Sequence, residues 1–483
     1  MRRATFAAAA AATLAAARMP AFAQTPNPLE PHTENIRTAV SDLRFGFAPL
    51  PAPRPGFDPA GDAKALLAPG TVSPATAPVP GDQWTGILPG GGRYVLRVPA
   101  NWSGTLVVAG TPATRSEFAN DAIWSDFVLA RGAAFASSNK RIPYNAIVAP
   151  VSGIAQPEFA YPIPFDAGGL EAKDLAIGFG MFDPVRIGIA EWNDDFHALA
   201  VTMRQLLAAE YRPPKRVYAV GLSNGGAQVR SLLERHPDDV DGGVDWSGVY
   251  WSPTTTLLDY LPVFLTAMPS YVASGFADRR IAERLERFGF PPDVVQSDPA
   301  HPSLYEEYYS NGAPFYADLT VFAYARLIDA RTKSLAGACT PDALDPKRLP
   351  GVCAGSGLAR PHARATYEPS PDARRAIGAF AHSGAIEKPL ISIAGTRDPF
   401  VVPKYNAIDY QRAISARRRA HLHRLFLVEG GTHVDTFTAF GYGLRAQLPF
   451  AWAAYDRLVR TVEGKDTAGT GKIQTVTAPG QLG

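Results

Sequence analysis

The stretch Lys215-Arg-Val-Tyr-Ala-Val-Gly-Leu-Ser-Asn-Gly-Gly-Ala-Gln-Val229 decides how the rest of the chain is read. Residues 217–220 form an apolar run bounded by charge on one side and glycine on the other, which predicts a strand buried on both faces. Gly221, Gly225 and Gly226 bracket Ser223, and helix-compatible sequence then runs toward Arg235. A serine on a tight strand-to-helix bend projects its hydroxyl beyond the sheet, and the flanking glycines remove Cβ atoms that would clash there. The competing reading is a glycine-rich structural turn, but the strand before it and the helix behind it favour a nucleophile.

The same alternation extends outward in both directions. Upstream, residues 93–98 alternate as a strand, residues 105–109 read as a buried strand, and residues 133–137 are a third candidate. Phe196, Leu199, Met203, Leu206 and Leu207 recur at helical spacing over residues 192–211, with Asn193 as a cap. Downstream, strands are expected at 242–249, 389–394 and 423–429, and helices at 405–420 and 443–462. Strand and helix in alternation imply an α/β class: a mostly parallel sheet covered by helices, with active groups at the carboxyl ends of its strands.

The expected organisation follows from where this rhythm holds. Residues 1–23 read as a signal peptide: Arg2 and Arg3, an alanine-rich stretch, and Ala21-Phe-Ala23 as cleavage site, with the twin-arginine route left open. Residues 24–80 are a Pro-rich extension with one short helix near Asn35–Leu43, and 81–251 and 388–463 are the two parts of the core. Residues 252–387 interrupt the core as a lid, and 464–483 are a polar tail expected to be disordered. Export makes a disulfide permissible, and one joining Cys339 to Cys353 would contribute ~3 kcal/mol by loop entropy.

Composition excludes several classes. The chain has 483 residues with 47 Lys+Arg against 45 Asp+Glu, so a net charge of +2 leaves no basic footprint for nucleic acid. An apolar fraction of 46% is too high for a disordered chain, and away from the N-terminus no run approaches the ~20 apolar residues of a membrane span. Two cysteines exclude a CxxC zinc site and an iron–sulfur protein, and no glycine-rich dinucleotide or phosphate fingerprint is present, so no cofactor is expected.

With the serine elbow in this context, the chain resembles the α/β-hydrolase superfamily over about residues 93–250 and 388–462, with the intervening segment where that family carries its lid. The Gly-Leu-Ser-Asn-Gly-Gly context is also loosely similar to tannase-like and polyester-oligomer hydrolases. The resemblance implies a serine hydrolase of carboxylic esters, with nucleophile, acid and histidine in that chain order. The histidine position matches His433 in Glu429-Gly-Gly-Thr-His433, and the acid matches Asp398 in Gly395-Thr-Arg-Asp398-Pro. Asp245, at the end of the preceding strand, is the competing acid, while Asp435 lies too close to His433 in sequence. The oxyanion hole falls to the backbone N–H of Asn224 and of Thr111, although Ala109-Gly110 stands where the family usually has histidine-glycine. His421 and His423 are read as surface residues, and His236 as a favourable C-terminal cation on its helix.

The lid is aromatic: Tyr260, Phe264, Tyr271, Phe276, Tyr305, Tyr308, Tyr309, Phe315, Tyr316, Phe322 and Tyr324 either wall a pocket for a bulky or aromatic substrate or form the lid's own core. Glu306 and Glu307 keep two alternatives open, a solvated helix face and the amine-binding carboxylates of a proline-type aminopeptidase. A hydrolase-like binding protein without catalysis is the remaining alternative. The expected partner is a small or oligomeric ester.

Overall fold

A computed structural model describes residues 35–44, 66–113, 115–141, 188–296, 303–310, 367–467, 469 and 471–483, with scattered positions between 317 and 329. Cys339, Cys353 and the signal segment lie outside the described residues. Ten strands make one sheet: β1 (Ile36–Val40), β2 (Gly81–Ile87), β3 (Arg93–Pro99), β4 (Thr105–Gly110), β5 (Ala134–Ser138), β6 (Arg216–Leu222), β7 (Gly242–Trp246), β8 (Leu390–Gly395), β9 (His423–Val428) and β10 (Ile473–Val476). Their spatial order is β1-β2-β3-β5-β4-β6-β7-β8-β9-β10. The first three pairings in that order are antiparallel and the other six parallel.

Burial on both faces explains the apolar runs. Along β4, Val107 faces a core shared with α1 (Asp126–Leu129) and α9 (Leu448–Val462), while Leu106 and Val108 face α2 (Ile189–Glu210) and α3 (Asn224–Arg235). Phe196, Leu199, Met203 and Leu207 of α2 are the residues turned to the sheet, as their spacing requires. That helix begins earlier than expected, with Gly188 rather than Asn193 at its N-cap. The lid contributes α4 (Leu257–Ala273), α5 (Arg279–Phe288), α6 (Leu304–Ser310) and α7 (Pro371–Phe380), and α8 (Asp409–Ala416) joins β8 to β9. No helix among the described residues is long and apolar enough to cross a membrane.

Two terminal expectations are corrected. The segment expected as a short helix near residues 35–43 is β1, an exposed edge strand antiparallel to β2. Its β-branched Ile36, Thr38 and Val40 suit the ladder that β2 offers, and Arg37 anchors it by pairing with Asp82 at 2.6 Å and covering Trp84. The tail expected to be disordered instead carries β10, parallel to β9, and a final turn that buries Leu482. Val476 and Leu482 give that segment an apolar anchor against α9 that a polar composition conceals.

Candidate active site

Residue by residue, the site grows from the carboxyl ends of β4, β6, β8 and β9. Ser223 is the hinge between β6 and α3 and adopts φ 61°, a conformation that costs a non-glycine residue about 1–3 kcal/mol. The neighbouring chain holds it there: its N–H donates to the Trp246 carbonyl at 2.9 Å, and its carbonyl accepts from Ala227 and Val249. Each flanking glycine has a specific neighbour. A Cβ on Gly221 would lie 2.2 Å from the Gly225 carbonyl carbon, one on Gly225 2.1 Å from the Gly110 oxygen, and one on Gly226 2.4 Å from Asp245 Oδ1. The tip of β4 is therefore pressed against the first turn of α3.

The loops after β8 and β9 are built as one unit. Thr396 N–H donates to the Val428 carbonyl and Arg397 N–H to the Gly431 carbonyl, and Gly395 and Gly431 touch so closely that neither has room for a side chain. This contact brings Asp398 and His433 together. Asp398, fully buried, accepts the Phe400 and Val401 N–H groups at Oδ1 (2.9 and 2.8 Å), leaving Oδ2 to His433 Nδ1 at 2.8 Å. His433 Nε2 lies 3.0 Å from Ser223 Oγ. Ser223, His433 and Asp398 thus form one hydrogen-bonded line across 210 residues of sequence.

Asp245 belongs to a different arrangement. It pairs with the buried Arg230 at 2.6 Å, accepts the Gly248 N–H and bonds Ser392 Oγ, so its carboxylate stabilises the base of the elbow rather than touching His433. Asp435 also stays clear of the imidazole: both its oxygens accept N–H groups at the start of α9, from Gln447 and Leu448, and burial pushes its pKa up to about 6. Asn224 opens α3, where backbone N–H groups have no helical acceptor, and its side chain accepts from the Tyr324 hydroxyl at 2.8 Å. Sequence reasoning placed Tyr324 in the lid but had no signal for that link. Thr111 is buried directly after Gly110.

The histidines set aside from the site fall in separate places, and one departs from its sequence reading. His423 is not a surface residue: it starts β9 fully buried, bonds Ser392 Oγ at 2.9 Å, and burial lowers its pKa to about 3. His421 lies in an exposed turn. His236 ends α3 and stacks on His197, ring centroids 3.7 Å apart. With Asp239 these two bring three ligand atoms within 4.8 Å. Near-parallel rings, however, direct their in-plane lone pairs side by side rather than to one point, and Arg204 already faces Asp239 at 3.6 Å.

Of the described lid aromatics, Phe264, Tyr271, Phe276, Tyr305 and Tyr309 form the lid's own core, whereas Tyr260 stacks on Tyr405 and Tyr324 meets Trp192 and Trp251. Phe264, Tyr271 and Tyr305 are at most 2% exposed and meet edge-on, Phe264 with Tyr305 at 6.2 Å and Tyr271 with Tyr305 at 6.1 Å. Tyr308 reaches the site side, donating to the Arg397 carbonyl at 2.9 Å, whereas Glu306 and Glu307 fall on the half-exposed flank of α6. Phe315, Tyr316 and Phe322 lie outside the described residues. Phe400 meets His433 edge-on at 6.0 Å and is backed by Phe437, which in turn meets Phe440.

The parallel sheet, the strained serine between β6 and α3, and the acid and histidine after β8 and β9 together decide the architecture. The fold is that of the α/β-hydrolases. No family model matches the chain, and no curated protein matches it. Among solved structures it is similar to feruloyl esterase B from Aspergillus oryzae, at 13% identity and TM-score 0.46 over 90% of this chain and 88% of that one. It is likewise similar to the rice cell wall degrading esterase LipA from Xanthomonas oryzae, at 14% identity and TM-score 0.44 over 83% of this chain and 95% of that one. A third similar structure is the acylaminoacyl peptidase of Pyrococcus horikoshii, at 10% identity and TM-score 0.37 over 81% of this chain and 41% of that one. Identities this low carry no substrate from these proteins to this chain.

Proposed function

We propose that this α/β-hydrolase is an exported serine hydrolase that cleaves carboxylic esters through an acyl-enzyme. The observation that supports it best is the line Ser223 Oγ–His433 Nε2–Asp398 Oδ2, at 3.0 and 2.8 Å. A serine hydroxyl is almost un-ionised at neutral pH, so a base within hydrogen-bond reach is what makes it a nucleophile. Ser223 Oγ attacks the ester carbonyl as His433 Nε2 takes its proton. Asp398, immobilised by two backbone N–H groups, keeps the His433 proton on Nδ1 and stabilises the imidazolium. The oxyanion is held by the N–H groups of Asn224 and Thr111. Collapse expels the alcohol, which receives its proton from His433, and water then repeats the sequence on the acyl-enzyme. Because the leaving alcohol must lie against His433, the aromatic side chains of Phe400, Phe437 and Phe440 make esters with bulky or aromatic groups the first substrates to try.

The test compares p-nitrophenyl esters of short, long and aromatic acids with amino-terminated anilides, alongside phosphonate labelling of Ser223. Ester turnover that disappears in Ser223→Ala while the fold persists is expected. Turnover surviving in Ser223→Ala would overturn the nucleophile assignment. Anilide turnover that requires a free amine would make the protein an aminopeptidase, and no labelling and no turnover would make it a binding protein.

A further inference from the structure

The loop that supplies the second oxyanion donor is held by groups outside the triad, and the bonds converge on one peptide. Asn120, fully buried at the start of the π-helical turn Asp121–Ser125, donates from Nδ2 to the Gly110 carbonyl at 3.1 Å. The same Nδ2 lies 3.2 Å from Ser137 Oγ, which in turn donates to the Ala109 carbonyl. Gly110 O and the Thr111 N–H belong to a single trans peptide and leave it on opposite edges, so holding the oxygen fixes the direction of the N–H. Donation to that oxygen also polarises the N–H that acts as donor.

Lys140 holds the next carbonyl. Its side chain is fully buried, Nζ donates to Thr111 O at 2.6 Å and also to Ala113 O, and it lies 4.9 Å from the centre of the Trp192 ring. A lysine so placed is rare without a specific partner, because burying an ammonium is costly. Burial lowers the Lys140 pKa well below its ordinary value, and the buried Asp195 nearby acts in the opposite sense. The Thr111 hydroxyl donates to the Ser138 carbonyl, so three separate bonds fasten Gly110 and Thr111. The backbone here is strained as well. Five of the eight non-glycine residues with positive φ among the described residues, Ala113, Lys140, Arg141, Ser223 and Ser247, follow the carboxyl ends of β4 to β7. Strain of this kind persists only where the surroundings over-determine it, and it collects at working sites.

Resting on the reading of Ser223 as nucleophile, we infer that Asn120 and Lys140 are positioning residues that fix the Gly110–Thr111 peptide as an oxyanion donor, in a chain with no histidine-glycine pair to do so. The test uses Asn120→Asp, which exchanges a donor for an acceptor at constant shape, and Lys140→Met, which removes the Nζ donor at similar volume. Active sites are titrated with a phosphonate, and kcat is expressed per titrated site, so that partial unfolding does not enter the comparison. Loss of one oxyanion donor lowers kcat about 10²- to 10³-fold, and a misplaced one should lower it about 10- to 100-fold. Each variant is therefore expected to lose about 10- to 100-fold in kcat per site, with KM changed less than about threefold and with a boronate transition-state analogue weakened in step with kcat. A per-site kcat within about twofold of the parent in either variant overturns the inference and leaves only a structural role. Turnover in Ser223→Ala, measured in parallel, would instead remove the reading on which the inference rests.

Discussion

At the scale of single residues, two aspartates at neighbouring strand ends do different work, and hydrogen bonds separate them. Asp398 touches His433, whereas Asp245 is occupied by Arg230, both being buried. Asp398→Asn should lower kcat about 10⁴-fold with little change in stability, because the imidazole would be held in the wrong tautomer. Asp245→Asn should leave kcat per folded molecule near normal but cost about 3–5 kcal/mol, since it strands the Arg230 guanidinium in the interior. Urea unfolding and active-site titration on the two variants check this crossed pattern; reversal would exchange the roles. Both carboxylates were legible as candidates in the sequence. The resemblance chose Asp398 with Asp245 as its competitor, since each follows a strand, and the contact between the Gly395 and Gly431 loops is what carries Asp398 to His433.

Among elements, the elbow depends on close backbone approach between the β4 tip and the α3 start. Gly225→Ala puts a Cβ 2.1 Å from the Gly110 oxygen, so backbone must shift, at about 1–3 kcal/mol, and the Gly110–Thr111 peptide moves with it. Loss of both stability and kcat is expected. Gly378 in α7 has open space at its Cβ, and Gly378→Ala there should stabilise by about 0.5–1 kcal/mol with unchanged kcat. Thermal melts and ester kinetics on the pair distinguish packing from helix propensity. The C-terminal strand makes a second test. Ending the chain after residue 470 removes β10 together with the buried Val476 and Leu482, each worth about 1.5–3 kcal/mol, and bares the edge of β9. A melting temperature lowered by several degrees, with a tendency to aggregate, is expected by scanning calorimetry.

In the molecule as a whole, buried histidines couple the fold to pH. His423 ordinarily titrates near 6.5, but inside the sheet it resists protonation until about pH 3. His382 behaves similarly, with a pKa near 4, its Nδ1 accepting from Trp251 N–H and its Nε2 bonded to the Ala227 carbonyl. Between those values the unfolded chain binds a proton that the folded chain refuses, so stability is complete above about pH 6.5 and is lost as pH falls toward 3. Asp195 and Asp435, both pushed up to about 6 by burial, act oppositely: their contribution declines as pH rises from about 4 through 6. His423→Gln leaves those two in place, so comparison with the parent isolates the histidine. The slope of unfolding free energy against pH between 4 and 6 should decrease by up to ~1.4 kcal/mol per pH unit, measured by urea titration. Parallel curves for the two proteins would show that His423 is not a source of acid lability.

The amino-acid sequence alone determined the α/β class, the positions of most core strands and the serine elbow, because these rest on local periodicity and on glycines at fixed offsets. It also placed Ser223, Asp398 and His433 at strand ends, since parallel sheets put connecting loops there. Only the tertiary structure decided which acid meets the histidine, that lid aromatics such as Phe264, Tyr271 and Tyr305 pack on one another, and that His423 lies inside the sheet. Only it converted the N-terminal segment to β1 and the polar tail to β10, because an edge strand is stabilised by the open ladder of its neighbour rather than by a pattern of its own. Contacts such as Asn120 to Gly110 and Tyr324 to Asn224 join residues 10 and 100 apart, and no local signal in a chain encodes a partner that folding alone brings near.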